Sequence, residues 1–392
     1  MAAECWAVSV PSPTYSPVHR MSTTASAPSV ATTVAWTHSR RAFVVGGSAL
    51  AAGLCRAQAQ PTRSDPSEWM EASPERYGFA SGALERVLDS GSRVGALRSL
   101  LVVRNGVLVG ERYYGGASSS DLLAVNSATK SFASILVGQA LAQGKLKSLS
   151  QTVADLLPEM TARFPDAPAS SISLRQILSG TSGLAYDYRI QGQALSLSVD
   201  PAIYALKLER DGKAPGGWSY NDAAVSLLGP ILERAQGMSL RSLAKRDLFT
   251  PLGIESFSWG RDKAGRELSY AGLRLRTRDL AKVAWTIADG GKWQGKSVVP
   301  ADWVEESTQT HTQGVWRIQP IGQSGYGYLW FTGQLSGRPV AWGWGYGGQF
   351  ALVAPSLRLA IATAASAPRP DDLQSQTDAI MALVAQLVEL AA

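Results

Sequence analysis

Apolar residues recur at helical spacing over residues 81–89, where Leu84, Val87 and Leu88 share one face. The spacing then shortens to that of strands. Residues 99–104 and 107–113 are rich in Leu and Val and flank Asn105-Gly106, the strongest short hairpin signal. Phe132, Ile135, Leu136, Val137, Ala140 and Leu141 then mark a helix apolar enough to be buried, which Gly144 is placed to cap. From residue 146 to about 288 the signals are mostly helical, broken by Pro and Gly. Four strands follow at 325–331, 340–344, 350–353 and 359–364, with a turn at Pro355-Ser356 before the last. Asp371 then caps a closing helix that runs to Leu390. Strands at both ends and helices between them predict an α+β domain over residues 60–392. Its antiparallel sheet, built from about 75–126 and 310–392, is flanked by the terminal helices and interrupted by a mainly helical insertion over 127–309.

The first 59 residues do not fit that pattern. Ser, Thr, Ala and Pro dominate to about Trp36, then Ser39-Arg40-Arg41-Ala42-Phe43 leads into an apolar run ending at Leu54, followed by Ala57-Gln58-Ala59. That order is a signal peptide of twin-arginine type with cleavage expected after Ala59. Some 13 apolar residues are too few to span a bilayer. The segment predicts an exported, periplasmic or extracellular protein with no stable membrane span after cleavage.

Removal of the leader changes the charge inventory. It carries four arginines and one glutamate, which leaves 33 of the 37 basic and 30 of the 31 acidic residues, a net charge of +3. With no basic run or stripe, a nucleic-acid partner is not expected. Cys5 and Cys55 both lie in the leader, and His311 is the one histidine outside it. That is too few ligands for a zinc hydrolase. A Ser-His-Asp triad would have to use His311, and the Gly-x-Ser-x-Gly elbow is missing. Gly290 to Ser297 satisfies the phosphate-loop pattern, but a helical run precedes it and Pro300 blocks a helix after it, so nucleotide binding is not expected. Neither a metal nor an organic cofactor is required.

What remains is Ser127-Ala128-Thr129-Lys130, which sets a serine and a lysine one helical turn apart, so the amine can approach the hydroxyl. A serine hydroxyl becomes a nucleophile only when a neighbouring base takes its proton. Ser242-Leu243-Ala244-Lys245 repeats the spacing, but inside a run where Leu240, Leu243 and Leu248 alternate with charged residues, as in a solvated amphipathic helix. Ninety residues past Ser127, Tyr220-Asn221-Asp222 precedes a helical run, and near the end comes Trp344-Gly345-Tyr346-Gly347-Gly348-Gln349. With Thr181-Ser182-Gly183-Leu184 and the stretch from Leu275 to Lys282, these motifs resemble the β-lactamase-related serine hydrolases. That family includes class C β-lactamases, DD-peptidases, carboxylesterases and 6-aminohexanoate-dimer hydrolases.

The resemblance covers about residues 75–390 and implies the class C β-lactamase and penicillin-binding-protein fold. It implies Ser127 as nucleophile, Lys130 and Tyr220 as catalytic partners, and an oxyanion hole from the backbone N–H groups of Ser127 and Gly348. Asp222, Tyr346, Gly347 and Gln349 become substrate-binding candidates. Two positions depart from the pattern: Asp222 stands where the family usually has Asn, and the third motif has no Lys. An ionised Asp only accepts hydrogen bonds. The partner is a small-molecule ester, amide or lactam. Short esters are favoured over β-lactams, with a β-lactamase, a DD-carboxypeptidase or a non-turnover penicillin-binding protein as alternatives. Lys130 is expected to lower the Tyr220 pKa, and either could be the base. His311, in a polar segment, is expected to be solvated. The tryptophans near the third motif suggest an aromatic pocket.

Overall fold

The computed structural model describes residues 68–212 and 216–392. The twin arginines, Cys5, Cys55 and the predicted cleavage after Ala59 lie outside them. Helix α1 (Ala83–Ser90) leads to strands β1 (Leu97–Arg104) and β2 (Val107–Tyr113), joined at Asn105-Gly106, both of which take positive φ as this tight hairpin turn demands. The buried helix is α2 (Thr129–Ala142), entered through a short 3-10 turn at Asn126–Ala128. Every residue of it from Thr129 to Ala140 is buried, so it forms the centre of the helical half. Three further helices bear on the site or the sheet: α3 (Tyr188–Leu197), α4 (Asp222–Ser226) and α5 (Thr277–Ala288).

The sheet resumes with β3 (Thr312–Gln313), β4 (Gly322–Tyr326), β5 (Phe331–Leu335), β6 (Arg338–Gly345), β7 (Gln349–Ala354) and β8 (Leu359–Ala365), and α6 (Leu373–Leu390) closes the chain. Eight strands run in the order β2-β1-β8-β7-β6-β5-β4-β3, all antiparallel. The first hairpin thus pairs with the last strand, as expected if the helical region is an insertion into one sheet. α1 and α6 pack on one side of it and α5 on the other. The central strands β7 and β8 are buried along almost their whole length, because both of their faces are covered.

Two expectations change. The single strand expected at 325–331 is a reversal: β4 ends at Tyr326, the chain turns through Gly327–Trp330, and β5 begins at Phe331. Leu329 there takes φ +61, and its N–H donates to the Leu178 carbonyl, so a tertiary contact overrides the β-rich aromatic composition. The region expected to be mostly helical also holds a small sheet, in which Leu123–Ala124 pairs with Leu273–Leu275 and that strand with Phe257–Trp259. Gly290 to Ser297 is a two-stranded hairpin after α5, without the strand before it that a phosphate loop needs; Pro300, expected to block a helix, instead precedes one at Ala301–Thr308, since proline is tolerated at a helix start. No helix among the described residues is long and apolar enough to cross a membrane.

Candidate active site

Ser127 sits on a bend locked from three directions. Asn126 takes φ +49, a conformation Asn tolerates better than most residues. Its side-chain amide donates to the Tyr346 carbonyl at 2.8 Å, tying the bend to the end of β6. The Val125 N–H donates to the Leu273 carbonyl of the small sheet. On the third side is Gly345, where a Cβ would lie 2.1 Å from the Val125 carbonyl oxygen, so only glycine lets β6 approach this closely.

Behind the bend, α2 carries Lys130 into the interior. Its ammonium lies 2.7 Å from the Tyr220 hydroxyl, 2.8 Å from the Tyr270 carbonyl and 2.7 Å from a carboxylate oxygen of Asp222. Ser127 is close enough to Tyr220 to bear on its ionisation, and both line one pocket. Serine, tyrosine and lysine therefore form one chain of contacts, with Tyr220 in the middle. Tyr220 and Asp222 are placed by Asn221 between them, whose side chain caps α4 at Ala224 N–H (2.8 Å) and donates to the Leu184 carbonyl (3.1 Å).

Removal from water pushes the Tyr220 hydroxyl well above its ordinary pKa; the Asp222 charge adds to the rise, and Ser127 opposes it. This corrects the expectation that Lys130 would lower it: the lysine is present, but burial and a carboxylate outweigh it. The resting tyrosine is neutral. Tyr186, which donates to the other Asp222 oxygen at 3.3 Å, is raised for the same leading reason.

A pocket of about 280 Å³ opens over Ser127, walled by Tyr188, Tyr220, Trp316, Phe331, Trp344 and Tyr346, with Asp222 and Arg317 as its charged members. The rings brace one another: Tyr220 and Trp316 are 4.6 Å apart, Tyr188 and Trp316 5.3 Å, Phe331 and Trp344 5.1 Å. The aromatic pocket was legible in the sequence. The contribution of α6 was not: Leu373, Gln374 and Thr377 line the pocket from a helix read only as packing.

Three other candidates stand elsewhere. The Gly348 N–H donates to the Gly345 carbonyl at 3.1 Å, closing the turn after β6, so it is spent and not open to an oxyanion. The Gly347 carbonyl accepts from Gln376 of α6 at 2.8 Å, which turns this residue toward the C-terminal helix. Gln349 is buried, donating to the carbonyls of Ala365 and Tyr346 and accepting from the Ala365 N–H, so it clamps the turn and does not face substrate. Tyr346 and Asp222 do line the pocket. His311, expected in solvent, stacks on Tyr328 at 4.0 Å with a ring nitrogen 2.8 Å from the Glu306 carbonyl, away from the pocket. In the second Ser-x-x-Lys copy, Ser242 and Lys245 are exposed while Leu240 and Leu243 are buried, as the amphipathic pattern predicted. Among the described residues no cluster of three or more His, Cys, Asp or Glu could hold a metal ion.

The fold that carries this site, an antiparallel sheet with a helical insertion, is matched in known proteins. The chain belongs to the Beta-lactamase family, whose model matches residues 80–386, and is a serine hydrolase of that family. It is similar to 6-aminohexanoate-dimer hydrolase of Paenarthrobacter ureafaciens, 25% identical over 285 residues that cover 68% of this chain and 69% of the relative. Esterase EstB of Burkholderia gladioli is 28% identical over 198 residues, covering 44% of this chain and 49% of the relative. In fold, the chain resembles the octameric penicillin-binding protein homologue of Pyrococcus abyssi, with a TM-score of 0.61, 20% identity and 77% of each chain covered.

Proposed function

We propose that this protein is an exported hydrolase that cleaves a small ester or amide through an acyl-enzyme on Ser127. The observation that carries the reading is the single polar chain Ser127–Tyr220–Lys130, with Ser127 at the mouth of the pocket. Tyr220, neutral at rest, first gives up its proton to the medium; Ser127 Oγ then attacks the carbonyl carbon as its own proton passes to the Tyr220 phenolate, and the carbonyl π electrons move onto oxygen. Collapse expels the leaving group, which takes the proton back from Tyr220, and water repeats the sequence to release the acid. Lys130 stabilises the phenolate while it lasts. The Ser127 N–H is one oxyanion donor. With the Gly348 N–H spent, the neighbouring Tyr346 N–H, on the pocket wall, is the second.

Esters are favoured over β-lactams because Asp222 engages Lys130 where an Asn could serve a substrate amide, and because the third motif has no Lys, which leaves Arg317 as the cation on the pocket lining. The names of two relatives, one an esterase and one an amide-dimer hydrolase, support the same pair of substrates. The leader supports export. The test is turnover on p-nitrophenyl esters, nitrocefin, a D-Ala-D-Ala peptide and 6-aminohexanoate dimer. Ester cleavage well above nitrocefin cleavage is expected; efficient nitrocefin turnover with negligible ester cleavage would overturn the substrate assignment.

A further inference from the structure

Lys130 has three oxygen neighbours, and an ammonium has three protons. Tyr220 Oη and the Tyr270 carbonyl accept from Nζ at 2.7 and 2.8 Å, and Asp222 Oδ1 stands 2.7 Å away as its ion-pair partner. The Lys130–Asp222 pair is nearly closed to water, with side-chain exposures of 4% and 15%. Asp222 is also held from the far side by Tyr186, and its backbone position is fixed by the Asn221 cap.

Resting on the function proposed above, we infer that Asp222 is a positioning residue: ion-paired to Lys130 beside Tyr220, it opposes the proton loss that makes Tyr220 a base, and thereby sets how alkaline the medium must be for turnover. The proton that must leave before Ser127 can react is the one on Tyr220. A carboxylate beside it disfavours the phenolate, so it opposes that loss. The remaining groups around it are tyrosines. Tyr186 and Tyr188 on the α3 side and Tyr270 beside the small sheet are each raised above the ordinary tyrosine value, by burial first, and Asp222 adds to each. Tyr326 of β4 is raised likewise. Two other carboxylates bear on this cluster, Asp262 on Tyr270 and Asp187 on Tyr188, where Arg189 opposes it. An Asn at position 222 would retain the shape and lose the charge.

The test is Asp222→Asn, with Asp222→Ala as a second variant. The readout is the pH dependence of Ser127 labelling by a fluorophosphonate, which reports the nucleophile even where turnover is lost. Both variants should move the acid limb of the profile down by about one pH unit or more, so that at the foot of the wild-type limb labelling, relative to each variant's own plateau, is about tenfold faster. A limb that stays in place or moves up in either variant overturns the proposal. Its failure differs from failure of the functional reading: if wild-type Ser127 takes no label, the reading itself falls, whereas labelled Ser127 with an unmoved limb removes only the role of Asp222.

Discussion

Replacing Lys130 by Ala separates the structural from the catalytic part of the buried pair. At 2.7 Å, and with an effective dielectric of about 20, the gross attraction between Lys130 and Asp222 is roughly 6 kcal/mol, much of it offset by the cost of taking both charges out of water. Removing only the lysine forfeits the attraction and leaves Asp222 to bear its own desolvation, a loss of about 3–5 kcal/mol. In a domain of this size that lowers Tm by about 5–12 °C. The double variant Lys130→Ala/Asp222→Asn removes the stranded charge along with its partner and should recover about 1–3 kcal/mol of the loss, a non-additivity expected of groups in direct contact. The measurement is thermal and urea unfolding of the wild type, both single variants and the double. Strict additivity, or a double variant less stable than Lys130→Ala, would refute the buried-pair reasoning.

The other predictions concern chemistry and pH. Ser127→Ala, Lys130→Ala and Tyr220→Phe should each cut kcat by roughly 10² or more without adding, whereas His311→Ala should leave most of kcat because its ring stacks on Tyr328 outside the pocket; steady-state kinetics on a p-nitrophenyl ester checks all four. On the alkaline side, burial pushes the Tyr114 and Tyr328 hydroxyls up to about 12. Because the unfolded chain ionises near the ordinary value of about 10, their contribution is complete below that pH and is lost between about 10 and 12. Tm should therefore hold steady to about pH 10 and fall above it, with phenolate absorbance appearing together with unfolding. Gly345→Ala forces a methyl into the Val125 carbonyl, and should cost about 1–3 kcal/mol and most of the activity, read by unfolding and ester turnover. Arg40→Lys with Arg41→Lys should retain the protein in the cytoplasm, and mass spectrometry that finds residues 40–59 on exported protein would defeat the cleavage claim.

How far the sequence spoke depended on how local each signal was. The Asn105-Gly106 hairpin, α2 and the closing helix were legible because turn chemistry and periodicity act within a few residues. The Tyr326 to Phe331 reversal was not, since Leu329 takes its positive φ with its N–H bonded to Leu178, far away in sequence. In the site, Ser127 and Lys130 could be paired from their spacing alone, and Tyr220 joined them only through the family resemblance. The glycine-rich turn was assigned to the site through the family resemblance of its motif, while Gly348 closes a turn and Gln349 clamps it. The Tyr220 pKa was misjudged because the nearest cation was visible in the motif and the burial around it was not.

The central claim is that Ser127 carries the acyl group. Intact-protein and peptide mass spectrometry after brief acid quenching of a p-nitrophenyl ester reaction reads it directly. A transient acyl mass on the peptide containing Ser127, absent in Ser127→Ala, is the predicted result. An acyl mass on another residue, or one that persists unchanged in Ser127→Ala, would contradict it.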